Sequence, residues 1–255
     1  MTHPFELRQE IELIATPEQV WQAIATGPGM DSWFMGRSEL GAAEGGPANL
    51  TMLGHTDEAT ITAYEPGERI ATRTPESEDG RFLAIEYLIE GRGGGTTVLR
   101  LVQHGMLGDD WETEFEAMKA GWPIYLETLK QYLLHFAGRT PSVTTAFRPG
   151  AGGPDTIWKI VTGSLGVTPE VTEGDAVRLP DGSAGVVYYA NLPVSLGVRT
   201  GEACTGSSTP APTAATSSSW ATRTSRAATS RPPGTPGSPS TSADPLARRA
   251  VTWRA

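Results

Sequence analysis

Cysteine is almost absent from this sequence, and so is any long apolar run. The single cysteine, Cys204, permits no internal disulfide in the 255-residue chain. No basic and apolar leader opens the sequence, and no apolar segment approaches the roughly 20 residues of a membrane-spanning helix. These features exclude a disulfide-stapled scaffold and a membrane protein. We therefore expect a soluble, cytoplasmic protein.

Positive charge is also scarce over most of the chain. The net charge is −9, yet the last 52 residues contain six arginines and one acidic residue, so the preceding 203 carry a net charge of −14. Nucleic acids and anionic membranes bind through basic surfaces. We therefore expect neither as a partner.

The signatures of metal, cofactor and nucleophilic chemistry are missing as well. The sequence has no cysteine pair, no His-Glu-x-x-His, no calcium-binding loop and no Gly-x-Ser-x-Gly elbow. Residues 91–95 are rich in glycine, but they lack the Lys-Ser/Thr of a phosphate loop and join two predicted strands. The sequence predicts no metal ion, no cofactor and no catalytic residues.

One stretch that is present, Asp109 to Phe136, dominates the chain. Its large apolar residues recur at alternating steps of three and four and form one stripe on an α-helix: Trp111, Phe115, Met118, Trp122, Tyr125, Leu129, Tyr132 and Phe136. Asp109 is a candidate N-cap, and Gly138 lies just past the stripe. Pro123 should bend the axis. We predict a long, kinked helix that lies across a sheet.

Strand signals precede this helix. Residues 5–13 alternate between apolar and charged side chains, and Thr16-Pro17-Glu18 then starts a short helix, which a second helical piece follows. Later strand-like runs span 38–40, 48–53, 59–65, 69–74, 82–90 and 96–103. Short turns join them, which favours antiparallel pairing. The predicted class is α+β, with one curved antiparallel sheet wrapped around the long helix.

Together these segments resemble a known superfamily. The opening strand at Phe5, residues 16–21 leading to Trp33-Phe34, the hairpin 64–70, and Gly121-Trp122 are similar in order and spacing to START-like SRPBCC proteins. The nearest group is the proteins similar to the C-terminal domain of the activator of the heat-shock-protein-90 ATPase. The resemblance implies a helix-grip fold over residues 1–138, with a hydrophobic cavity between sheet and helix. Functions within the superfamily vary, so the fold alone does not choose one.

The rest of the chain has a weaker pattern. Residues 139–154 are rich in Gly, Pro, Ser and Thr and are predicted to be a linker. Residues 155–203 are predicted to form a small α/β appendage with a helix at 155–165. Serine and threonine supply 20 of the 52 residues in 204–255, so we expect a disordered tail.

The abrupt change at Cys204 suggests a shifted reading frame as an alternative to a natural Ser/Thr/Pro/Arg-rich tail. Cys204-Thr205-Gly206-Ser207 can be encoded as TGT ACC GGT TCx. One additional C in front regroups these bases as CTG TAC CGG TTC, which encodes the strand-like sequence Leu-Tyr-Arg-Phe. The coding DNA tests this hypothesis, because the restored frame should keep apolar alternation beyond codon 204, and a frame without it would contradict the hypothesis.

Apolar and aromatic residues are the candidates for lining the predicted cavity. An apolar pocket with a few polar groups is the usual form of a small-ligand site. Alternatively, each of these side chains simply fills a core. The candidate ligand-binding residues are Trp33, Phe34, Leu83, Ile85, Tyr87, Trp111, Met118, Trp122 and Tyr125.

Polar chemistry has weaker candidates, namely His55, Glu86, Arg100, His104 and Glu114. No spacing pairs a histidine with a partner, so exposed positions are expected. The leading interpretation is a non-enzymatic domain that binds a hydrophobic small molecule. The resemblance leaves two alternatives open: a co-chaperone-like modulator of a heat-shock-chaperone ATPase, and a polyketide cyclase or aromatase-like enzyme, which would need a polar dyad inside the cavity.

Overall fold

The computed structural model describes residues 1–52, 54–150, 154–191, 195–208 and 244–254. The helices are α1 Pro17–Ile24, α2 Gly27–Asp31, α3 Trp111–His135 and α4 Pro154–Leu165. The strands before α3 are β1 His3–Leu13, β2 Arg37–Leu40, β3 Ala48–Met52, β4 His55–Asp57, β5 Thr60–Glu65, β6 Arg69–Arg73, β7 Phe82–Arg92 and β8 Thr96–Leu107. Those after it are β9 Thr140–Gly150, β10 Ala176–Arg178, β11 Ala184–Asn191, β12 Ser195–Thr200, β13 Ala203–Ser208 and β14 Asp244–Arg254.

The first helix begins where its sequence predicts. The Thr16 hydroxyl accepts a hydrogen bond from the backbone N–H of Gln19 at 3.3 Å, and the Gln19 amide oxygen accepts one from the backbone N–H of Thr16 at 2.9 Å. This reciprocal capping box satisfies two donors that the first turn would otherwise leave unpaired. It fixes the direction in which the chain leaves β1.

The N-terminal strands form a five-stranded antiparallel sheet in the order β1-β8-β7-β6-β5, with a smaller sheet of β2, β3 and β4 beside it. The opening strand β1 pairs with the last strand, so that Phe5 lies opposite Gly105 and Leu13 opposite Thr97. Alternation places one face of each strand toward α3. The main hydrophobic core joins Leu7, Tyr87, Leu99 and Leu101 of the strands with Trp122, Leu126, Leu129 and Phe136 of the α3 segment. The predicted α+β helix-grip class is confirmed.

A second, six-stranded antiparallel sheet follows, in the order β10-β11-β12-β13-β14-β9. One of its faces is covered by α4, whose Trp158, Val161 and Leu165 share a core with Val187, Leu196 and Val198. The predicted helix at 155–165 is present as α4. In both sheets the strand that opens the unit pairs with the strand that ends it, β1 with β8 and β9 with β14.

This second sheet corrects two boundaries expected from the sequence. Most of the predicted linker is β9, because Val143, Thr144 and Thr145 favour strands and their ladder partner, β14, lies about a hundred residues further along the chain. The predicted tail contains strands at both of its ends, β13 and β14, which extend the sheet between β12 and β9. Residues 209–243 of that tail lie outside the described residues.

The other face of the second sheet lies against α3. The Thr128 and Tyr188 hydroxyls form a buried hydrogen bond of 2.8 Å, and the Arg199 guanidinium donates to the Gln131 amide oxygen at 2.9 Å. Between residues 120 and 133, no residue of α3 is exposed. Helix α3 is therefore buried between two sheets, and not only on the side of its aromatic stripe.

Close approach of α3 to this sheet depends on glycine. A Cβ atom on Gly197 would lie 2.5 Å from the Tyr188 ring, which is closer than carbon atoms can approach. The Tyr188 ring therefore covers Gly197 and carries its hydroxyl to Thr128. A methyl group at this position would displace the ring and break the hydrogen bond.

We expect Gly197→Ala to lower the free energy of unfolding by about 1–3 kcal/mol through overpacking. Gly163→Ala is the matched control, since Gly163 lies in α4 with open space at its Cβ position. Alanine there should be neutral or stabilise by up to about 1 kcal/mol. Urea unfolding followed by tryptophan fluorescence measures both, and equal stabilities of the two variants would contradict the packing of Tyr188 on Gly197.

Candidate functional site

Five aromatic residues meet between the five-stranded sheet and α3, and we call Trp33, Phe34, Tyr87, Trp122 and Tyr125 the aromatic cluster. The Phe34 ring lies at its centre, with centroid distances of 5.4 Å to Trp122, 5.1 Å to Tyr125 and 5.4 Å to Trp33. Its plane is 18° from that of Trp122, so these two rings stack. Trp33 and Trp122 are buried, whereas Phe34 and Tyr125 are half-buried.

The short segment after α2 positions two members of the cluster. The Trp33 indole N–H donates to the Ala23 carbonyl of α1 at 2.9 Å in a buried hydrogen bond. The backbone N–H of Phe34 donates to the Met30 carbonyl at 2.8 Å. Trp33 is thereby anchored against α1, and the next side chain is directed onto α3.

Tyr87 supplies the sheet side of the cluster. Its ring is 6.4 Å from that of Trp33 in an edge-on arrangement, and the residue is only 5% exposed. Burial raises the pKa of its hydroxyl, which therefore stays protonated. The hydroxyl forms no hydrogen bond with any described residue. Its oxygen is not among the fully buried side-chain atoms that lack a partner in the described part of the chain, so some accessible surface remains at the hydroxyl.

Gln103 is a polar residue of the site that sequence reasoning missed. Its amide oxygen accepts a hydrogen bond of 2.7 Å from the Trp122 indole N–H, and the contact is buried. The residue itself is 4% exposed. A signal was present, because Gln103 follows Leu99 and Leu101 in the inward-facing register of β8, where an apolar residue is expected.

The nine residues predicted to bind a ligand do not form one group. Ile85 packs against the main core beside the aromatic cluster. Besides Ile85 and the five residues of the aromatic cluster, three predicted residues remain. They belong to a separate apolar cluster with Phe5, Leu107 and Phe115 near the start of α3: Leu83, Trp111 and Met118. There the Trp111 ring stacks on His3 at 5.4 Å. The site therefore centres on the aromatic cluster together with Ile85 and Gln103.

The polar candidates lie elsewhere. Strand alternation places Glu86, Arg100 and His104 on the face of the sheet opposite to Tyr87 and Gln103. Glu86 is paired with Arg69, and Arg100 donates at 2.7 Å to both Glu10 and Glu90. None of these three side chains therefore supplies a polar dyad between the sheet and α3.

The remaining two polar candidates are also outside the aromatic cluster. The exposed His55 is 3.1 Å from Asp57. Glu114 is half-buried near the start of α3, and burial raises the pKa of its carboxyl group. Among the described residues, no group of three His, Cys, Asp or Glu side chains is placed to hold a metal ion. No helix in the described part of the chain combines the length and apolarity needed to cross a bilayer.

Comparison with known proteins identifies one family model, described as activator of Hsp90 ATPase homolog 1-like protein, which matches residues 14–134. A search of curated proteins finds no match.

Three solved structures are similar to this chain. A protein from Mesorhizobium loti is 21% identical over 52% of this chain and 98% of that chain, with a TM-score of 0.46. The Aha1 dimer from Colwellia psychrerythraea is 20% identical over 51% and 96%, with a TM-score of 0.43. DynU16, encoded in the dynemicin biosynthetic locus, is 16% identical over 96% and 86%, with a TM-score of 0.44.

The Trp122–Gln103 hydrogen bond yields a prediction about the stability of the site. Trp122→Phe leaves the Gln103 amide oxygen unpaired, and Gln103→Leu leaves the indole N–H unpaired. Each single change should lower the free energy of unfolding by about 1–3 kcal/mol. The double variant, which removes both polar groups, should lose less than the sum of the two. Urea unfolding of all four proteins provides the cycle, and strictly additive losses would show that the two groups do not interact.

Proposed function

We propose that residues 14–134, an Aha-type domain of the START-like SRPBCC superfamily, bind a hydrophobic small molecule at the aromatic cluster. The ligand would lie between the five-stranded sheet and α3. The observation that carries the proposal is the incomplete burial of Phe34 and Tyr125 within a cluster whose other rings are buried. Aromatic surface of this kind gains free energy when a ligand replaces water against it.

The position of Phe34 supports entry of a ligand at this point. Phe34 lies in an irregular segment between α2 and β2, whereas Trp122 and Tyr125 belong to the long helix. Irregular segments move more readily than the elements they connect. A shift of Phe34 would uncover the face of Trp122 on which it stacks, while the Trp33 indole hydrogen bond to Ala23 keeps the adjoining wall in place.

The family description supports a second candidate, the modulation of a heat-shock-chaperone ATPase. This function would need a protein-binding surface and would not depend on Phe34. A coupled ATPase assay with a purified chaperone separates the two candidates. The third candidate, a cyclase-like enzyme, would need a polar dyad between the sheet and α3. Glu86, Arg100 and His104 do not supply one, because they face away from α3.

We expect N-phenyl-1-naphthylamine, a neutral and apolar fluorescent probe, to bind saturably and to increase its emission on binding. Phe34→Leu removes one stacking partner, which is worth about 0.5–1.5 kcal/mol, and should raise the Kd by roughly 2- to 12-fold. Fluorescence titration of the parent protein and of Phe34→Leu measures the two Kd values.

Phe82→Leu is the matched control. Phe82 is a half-buried phenylalanine of the same sheet, but it lies on the opposite face, where the Arg73 guanidinium is 3.9 Å from its ring centre. The Kd of this variant should equal that of the parent. Absence of saturable binding, or equal weakening by both substitutions, would reject the proposed site.

A further inference from the structure

We infer that the ligand of this site is uncharged and carries a hydrogen-bond acceptor such as a carbonyl oxygen, which Tyr87 and Gln103 bind together. This inference rests on the proposed function and specifies the chemistry of the ligand. It starts from two polar side chains inside an apolar site, each of which has a hydrogen-bond donor that no described residue accepts.

The first donor is the Tyr87 hydroxyl. Tyr87 is 5% exposed, and the pKa of its hydroxyl is raised by burial with no hydrogen-bond contribution. No described residue pairs with the hydroxyl. It lies on the face of β7 that is directed toward α3, because Tyr87 belongs to the same buried core as Trp122 and Leu129 of that helix. A protonated phenol in such a place is ready to donate to an incoming acceptor.

The second donor is the amide group of Gln103. An indole N–H can only donate, so the contact with Trp122 must use the amide oxygen of Gln103 and leaves its NH₂ group for another partner. The Gln103 side chain forms no other hydrogen bond among the described residues. Trp122 thus fixes the orientation of the amide and turns its two N–H bonds away from the indole.

The two donors are neighbours on the same face of the sheet. Tyr87 is opposite Leu101 in the ladder, and Gln103 is opposite Ile85. Tyr87 and Gln103 are therefore diagonal neighbours, whose backbones lie about 7–8 Å apart in an antiparallel pair. Side chains of this length reach a common acceptor from such positions. The rings of Phe34 and Tyr125 would hold the apolar part of the same ligand.

The distribution of charge indicates that the acceptor is neutral. The charged residues of β7 and β8 nearest to these donors, Glu86, Glu90 and Arg100, form ion pairs on the opposite face. Among the described residues, no lysine, arginine or histidine is buried. A carboxylate or phosphate would lose its hydration there without gaining a counter-charge. A ketone, aldehyde, ester or amide loses far less.

Two naphthalene dyes test the inference with the 255-residue chain. Prodan carries a carbonyl group on a dimethylaminonaphthalene ring, and 2-(dimethylamino)naphthalene lacks it. We expect Prodan to bind more tightly than the carbonyl-free dye, by about 2- to 10-fold. Tyr87→Phe deletes only the hydroxyl and keeps the ring, so it should remove most of this preference by weakening the binding of Prodan. The emission of bound Prodan should also move to shorter wavelength.

Tyr64→Phe is the control, because it deletes a hydroxyl from the same sheet at a half-buried tyrosine that packs on Trp21 instead. It should leave both affinities unchanged. Equal affinity of the parent protein for the two dyes, or an unchanged preference in Tyr87→Phe, would overturn the role of the two donors and leave the hydrophobic site intact. Failure of both dyes to bind would reject the proposed function, and this inference with it.

Discussion

Burial of helix α3 on two opposite sides is the constraint on which the structure depends. The five-stranded sheet covers the aromatic stripe, and the second sheet covers the side that carries Ile124 and Thr128. Residues 120–133 of this helix are buried or half-buried on every side, so both sheets are needed to cover it. The C-terminal sheet therefore completes the core of the N-terminal domain, and the hydrogen bond between Thr128 and Tyr188 joins the two units at a position closed to water.

Within that core, the polar atoms of three aromatic residues differ in their hydrogen-bond partners. The indole N–H of Trp33 finds a backbone carbonyl, and that of Trp122 finds the amide of Gln103. These bonds satisfy groups whose burial would otherwise be costly, and they fix both rings in place. Only Tyr87 keeps its hydroxyl without a described partner. The site thus combines rigid walls with a free donor, as ligand sites commonly do.

The sequence predicts the N-terminal domain well because its signals are local. The period of two in β1, the capping sequence at Thr16 and the stripe along α3 each depend on residues a few positions apart. The second sheet depends on pairing between distant segments, which no local pattern records. Thus β9 looked like a linker although it pairs with β14. The buried residues Ile124 and Thr128 lay outside the stripe for the same reason, since the second sheet covers that side of the helix.

Side chains of a strand alternate between the two faces of the sheet, and this alternation decides which residues take part in the site. It separates the polar residues of β7 and β8 into two groups. Glu86, Arg100 and His104 occupy outward positions, where ion pairs and water satisfy them at little cost. Gln103 and Tyr87 occupy inward positions, where a buried polar atom without a partner lowers the free energy of unfolding. An inward polar residue is therefore the informative exception in an alternating strand. A third inward polar residue, Thr97, donates to the Ala15 carbonyl. Tyr87 belongs to the aromatic cluster and Gln103 binds Trp122 of the same cluster, so local alternation helps to locate the polar part of the site even though it does not reveal the cluster.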